Sequence, residues 1–422
     1  IEQNHIDAII GLPANIFFGT GIPTITMVLK QKRSNTDVLI VDASKGFIKV
    51  GKNNKLRASD IKRIVDVVTK RESVQKFSKV VSRDEIRKNE YNLNIPRYVD
   101  SSEAAESWDI YASMFGGLPL SEIDELKEYW IAFPELRNAL FENTSSAYCN
   151  LRVENIKKAI KEHSDICSFE NKYRDVFSGF DEYLYDELIE KMTALNISKA
   201  EATLSANIFE RLKDIPLVDK YEAYQLLDDD WTKIAVDLEI IQTEGFEATK
   251  RVDPNMVIKK KDGKEQEVQE GWVGRIIPFD LIQDTLLADD RAALKTKENR
   301  LSEIASEYEE LFDSLTEEEK EGDYASEDGF VNAEIKKALK SDSVEPETKE
   351  KLRKVAALAT EEKELKAAIK KDAGLLEGKT KETIESLSDE QVIDLLKDKW
   401  ITPLIQSLMK LPDSIVNELV SK

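Results

Sequence analysis

Short apolar runs rich in β-branched residues open the chain. Ile6 to Ile10, Ile22 to Lys30 and Val38 to Val41 are each bounded by Gly, Pro or Asn, the pattern of strands set between turns. The period then changes. Between Leu56 and Lys70, the residues Ile61, Ile64, Val65 and Val68 fall at i, i+3, i+4 and i+7, which puts them on one face of an amphipathic helix capped by Ser59-Asp60. A second helical piece is predicted from Ser82 to Asn89, ahead of the irregular stretch Tyr91 to Tyr98. Beyond residue 120 the period is helical almost throughout. Ser121 to Glu125 offers a cap and an acidic first turn followed by Leu126 and Trp130, and helices are predicted over 150–165, 177–195, 202–213 and 220–242. Residues 249–277 break this rhythm: extended flanks around Asp262-Gly263 predict a β-hairpin between helices.

Past Pro278 the spacing becomes that of a coiled-coil seam. Leu294, Leu301, Ile304, Tyr308, Leu311 and Leu315 follow one another at seven, three, four, three and four residues, and Val355, Leu358, Leu365 and Ile369 repeat the rhythm. Breaks at Gly322 to Gly329 and Ser341 to Glu347 let the two stretches fold back on each other or each meet a partner helix. Short helices from Asp389 to Trp400 and Leu411 to Val420 close the chain. The class expected is mainly α with an N-terminal α/β segment, divided at 1–100, 101–280 and 281–422.

Charge sharpens this division. The 422 residues carry a net charge of −21, which taken whole argues against non-specific nucleic-acid binding. Residues 1–100 nevertheless hold 18 Lys/Arg against 11 Asp/Glu, while residues 301–350 hold 5 against 17. A basic head on an acidic body places any polyanion contact in the head. Cys149 and Cys167 form neither a disulfide framework nor a zinc pattern, no apolar run approaches a membrane span, and a cytoplasmic protein is expected. The chain lacks an initiator Met and begins at once in a strand pattern, as if cut inside a domain.

Candidate chemistry is sparse. His5 and His163 read as structural or surface residues, so a nucleophile-plus-base mechanism has little support. Gly19-Thr-Gly21 leads into Pro23 and a strand rather than a helix, which reads as a flexible turn and not a phosphate cradle. Acidic clusters at Asp228 to Asp230 and Asp323 to Asp328 lack calcium-loop spacing and read as solvated helix ends; no metal is expected. More suggestive are Lys45, Lys49, Lys52, Lys55 and Arg57, which crowd together with Gly46, Gly51 and two Asn, as suits a loop contacting phosphates. An ordinary basic loop fits them equally well. Phe17-Phe18 offers a flat face on which a nucleobase can stack, although taken alone these are core residues.

Several segments together resemble the modification (M) subunit of type I restriction–modification systems, a family of adenine-N6 DNA methyltransferases. They are Ala8 to Thr24, Leu39 to Lys45, Asn54-Lys-Leu-Arg57 and Tyr91 to Tyr98, and the likeness extends through Gly116-Gly-Leu-Pro119, Trp130 to Leu140 and Gly271 to Pro278, over most of the chain, weakest after about residue 320 and with nearly all its specificity in the first hundred residues. The resemblance implies that residues 1–100 are part of a doubly wound methyltransferase sheet. Phe17 is then the aromatic that stacks on a flipped-out adenine, with Phe18 as the alternative. The family's S-adenosylmethionine turn and Asn-Pro-Pro motif do not occur in this sequence, so this chain by itself is expected to be inactive and to bind no S-adenosylmethionine. Implied partners are DNA, a second M subunit, a specificity (S) subunit and a restriction (R) subunit. Leu301, Ile304, Tyr308, Leu311 and Leu315 fit a seam for a partner helix, and an intrachain helical hairpin is the competing description. A non-catalytic helical scaffold is the alternative function.

Overall fold

The computed structural model describes residues 1–102, 109–261, 264–326, 329–341 and 344–422. Helix accounts for 58% of the chain, with several small sheets, so the mainly helical class holds. Two compact units form: residues 1–236 with 400–422, and residues 237–399.

Unit one is built on a mixed four-stranded sheet. Its strands are β1 (Ile6–Leu12), β2 (Thr24–Leu29), β3 (Val38–Asp42) and β6 (Ser78–Val81), in the order β2-β1-β3-β6. β1 runs parallel to β3 and antiparallel to β2, and β3 runs antiparallel to β6. The central pair is apolar at nearly every position because both faces are covered. Ile9, Val38, Ile40 and Val81 pack against Ile86, Ile95, Tyr98 and Val99 on one face, while Ala8, Ile10, Leu39 and Val41 pack against Val67 on the other. Ile86 lies on helix α2 (Arg83–Lys88), whose Ser82 cap accepts from the Glu85 N–H. Val67 lies on α1 (Ala58–Lys70), where the Asp60 carboxylate accepts from the Arg57 N–H at 2.8 Å. Between β3 and α1, β4 (Ile48–Val50) and β5 (Asn53–Lys55) form a separate two-stranded ribbon.

The face expected for α1 is only half right. Ile64, Val67 and Val68 meet the sheet, whereas Ile61 and Val65 are 49% and 52% exposed. Further along, Tyr148–Leu151 is a strand paired with Leu118–Pro119 and Phe141–Asn143, where a helix starting near residue 150 is expected from sequence. The helix Ser164–Val176 falls in the gap between the predicted 150–165 and 177–195, whereas Phe180–Tyr185, Ile197–Arg211 and Lys220–Glu244 lie close to their predicted places. Residues 400–422 return to this unit, where the Tyr173 hydroxyl donates to the Leu408 carbonyl at 2.9 Å.

Unit two contains the antiparallel ribbon of Val252–Lys261 and Lys264–Gly274 and the long helices Ala288–Asp313 and Pro346–Glu385. The predicted Asp262-Gly263 turn lies outside the described residues, as do residues 327–328 of the second acidic cluster. The two long helices run antiparallel against each other, joined by the ion pairs Arg300–Glu361 at 2.7 Å, Lys379–Asp290 at 2.9 Å and Lys297–Asp372.

Candidate functional site

The parallel strands β1 and β3 end side by side, at Leu12 and Asp42. In open α/β sheets this carboxyl edge is where ligands bind, because the connections diverge there and leave backbone groups unpaired. The residues singled out in the head gather at it. The connection leaving β1 carries Phe17 and Phe18, and the connection leaving β3 carries Lys45 and then the β4–β5 ribbon. Asn54 of the ribbon joins the two: its N–H donates to the Asn15 carbonyl at 3.0 Å and its Nδ2 to the Ala14 carbonyl at 2.7 Å.

Neither aromatic is a core residue. Phe17 is 55% exposed and Phe18 97%, so each presents a ring to solvent. Lys49, Lys52 and Lys55 are exposed along the ribbon, with Lys52 at its turn beside Gly51 at φ +62°. Ile48, Val50 and Lys55 share one ribbon face and Lys49 and Asn54 the other. Arg57 differs from the lysines. It is held by Asp60 at 3.2 Å and by Glu222 at 3.0 Å, so its charge is committed to docking α1 on the Lys220–Glu244 helix. The Ser59 N–H, which donates to Gln225 Oε1, reinforces that docking.

Asp42 anchors the edge from beneath. Burial pushes its carboxyl up, but the Ser101 hydroxyl donating at 2.5 Å and the Ser44 N–H donating at 3.1 Å more than offset this, leaving it below the ordinary carboxylate range. The charged form is therefore maintained at neutral pH and ties the chain after Val99 to the end of β3. The sequence gives no sign of the Asp42–Ser101 contact or of the tie from Asn54 to Ala14, made across 59 and 40 residues.

An S-adenosylmethionine cradle does not fit the residues present. The connection from β1 enters β2 rather than a helix, and the β6–α2 turn is Ser82 without a glycine. Among the described residues no group of three or more His, Cys, Asp or Glu is placed to hold a metal, and no helix is long and apolar enough to cross a membrane.

The heptad positions meet residues of their own chain. Ile304 and Leu315 are buried, and Tyr308 and Leu311 pack in the cluster of Leu315, Ile335, Leu352 and Val355; Leu301 is half-buried on the same helix. The intrachain hairpin thus describes this seam.

Residues 1–107 match the sequence family described as N-6 DNA methylase. The chain is 39% identical over 111 residues to the type I restriction enzyme MpnII methylase subunit of Mycoplasma pneumoniae, covering 26% of this chain and 20% of that protein. It is 37% identical over 134 residues to the MjaVII methylase subunit of Methanocaldococcus jannaschii, covering 30% and 22%. A solved type I restriction–modification methyltransferase subunit from Streptococcus thermophilus is 48% identical over 24% of this chain and 21% of its own, with a TM-score of 0.24. The chain thus spans about a fifth of the length of the curated relatives it matches. The matched segment contains the sheet, the exposed aromatics and the lysine ribbon.

Proposed function

We propose that this chain is part of the M subunit of a cytoplasmic type I restriction–modification system, an adenine-N6 DNA methyltransferase, and that it supplies DNA contact and assembly surface. One observation carries the reading: two solvent-facing phenylalanines and three exposed lysines are gathered at the carboxyl edge of the sheet, in the segment that matches the methylase family. Cations there meet phosphates, and a ring there stacks on an extruded base. The intact subunit uses S-adenosylmethionine; this chain holds no Asn-Pro-Pro motif and is inactive alone. DNA, a second M subunit, an S subunit and an R subunit are its proposed partners.

Assembly is supported by β2. Among the described residues it pairs with β1 alone in the sheet, which leaves its outer edge without a strand, and Ile25, Met27 and Leu29 are exposed on the face that continues from Ile9. Native proteins cover such edges because unpaired backbone beside apolar side chains invites pairing. We assign the cover to the remainder of the methyltransferase sheet.

The test is DNA affinity measured against salt. Lys49→Ala/Lys52→Ala/Lys55→Ala should weaken duplex binding and flatten the logarithmic salt dependence by about 0.9 for each phosphate that is no longer neutralised. An unchanged slope would remove the ribbon from the interface. Arg57→Ala is the control that lowers stability and leaves the slope in place.

A further inference from the structure

We propose that Asn54 is a positioning residue that fastens the lysine ribbon to the aromatic loop so that both face a nucleic acid as one unit; this inference rests on the DNA-contact reading above. The ribbon cannot hold its own orientation. Its strands are three residues each, too short for a stable free-standing hairpin, and Ile48 and Val50 on one face are exposed rather than packed. Asn54 is half-buried between exposed Asn53 and Lys55, and it spends both its main-chain and its side-chain donor on the loop, at Asn15 and Ala14. Those carbonyls lie two to four residues ahead of Phe17 and Phe18. Asn15 itself turns the chain at φ +56°, and the Thr20 N–H closes back on the Phe17 carbonyl at 3.2 Å, so a fixed Asn15 defines where the rings emerge.

The chemistry asks for an amide. Asn54→Asp keeps the size and the main-chain bond but sets an oxygen against the Ala14 carbonyl, while Asn54→Ala removes the donor outright. In Asn54→Ala only the ribbon-to-loop tie is altered, since the lysines and the phenylalanines remain, whereas Asn54→Asp also adds a carboxylate beside Lys49 and Lys55.

Two measurements on the 422-residue chain test this. Without DNA, hydrogen exchange in Asn54→Asp should accelerate about tenfold both in residues 13–21 and in residues 46–56, with the rest unchanged. Acceleration in the ribbon alone, or in neither segment, overturns the coupling. With a single-stranded oligonucleotide bearing 2-aminopurine, Asn54→Ala, which adds no charge, should bind about five- to tenfold more weakly and lose most of the stacking quench, as Phe18→Ala does, while keeping the parental salt slope. A flattened slope with the quench intact would make Asn54 a phosphate contact and overturn the proposal. Failure of the unaltered chain to bind the oligonucleotide at any salt concentration sinks the DNA reading, and the exchange result then decides the coupling separately. Should Asn54→Ala fail to fold, Asn54→Leu, close in size and uncharged, carries both tests.

Discussion

Asp7 sits buried at the start of β1 with three cations around it: Lys30 at 2.6 Å, Arg71 at 2.7 Å and Arg33 at 3.0 Å. Burial works against its charge, yet the Lys30, Arg71 and Arg33 contacts outweigh it and hold the carboxyl below its ordinary value of 3.8. Arg33 also donates to the Ile6 and Asp37 carbonyls, which clamps β1 to the entry of β3. Removing one member leaves uncompensated charge, so Asp7→Asn should cost about 3–5 kcal/mol at pH 7 in a denaturant titration. Because the folded value is depressed, the stabilisation is complete above 3.8 and is lost as pH falls through the lower folded value. The gap between the variant and the parent should therefore close in acid, and a gap independent of pH would show that the charge of Asp7 contributes nothing. None of this was legible in the sequence. Asp7 reads there as a polar interruption of a strand, and its partners Lys30, Arg33 and Arg71 are scattered over 41 residues.

At the scale of elements, periodicity located what local propensity controls. α1, α2, the long ribbon and the Asp389–Trp400 helix appear where their patterns place them. It failed where a ladder decides. Tyr148–Leu151 becomes a strand only because Leu118–Pro119 and Phe141–Asn143 are folded alongside it, and no local period reports that. Ile304 tests the helix hairpin: it is fully buried, so Ile304→Ala should lower stability by about 2–5 kcal/mol through the cavity it leaves. A cost below about 0.5 kcal/mol would mean that the seam is not packed. Gly374 and Gly378 lie on the exposed side of the Pro346–Glu385 helix, with nothing within 4 Å of where a Cβ would sit. Converting both to Ala should raise stability by about 1–2 kcal/mol, read as an upward shift of thermal unfolding. Gly274→Ala should do the reverse, because its Cβ would fall 1.8 Å from the Ile277 carbonyl oxygen. A thermal midpoint unchanged by that substitution would contradict the close approach.

On the scale of the whole molecule, the proposed DNA contact of the basic head and the exposed apolar residues of β2 belong to one proposal, that the sheet is completed by further methyltransferase sequence. Met27→Lys/Leu29→Lys tests the edge. It should reduce self-association of the isolated chain in sedimentation and block co-purification with a co-expressed S-adenosylmethionine-binding methyltransferase portion, without lowering the thermal midpoint. Co-purification at the parental level would assign the cover to some other surface. The sequence by itself determined the strand and helix runs, the charge asymmetry and the methylase likeness of the first hundred residues, because burial on both faces and helical period are written into neighbouring positions. Only the tertiary structure decided which apolar residues stay outside, that Arg57 and the heptad seam are engaged within the chain, and that Asn54 ties the lysines to the phenylalanines. Each of these depends on contacts between residues dozens of positions apart, and a long-range contact leaves no period along the chain.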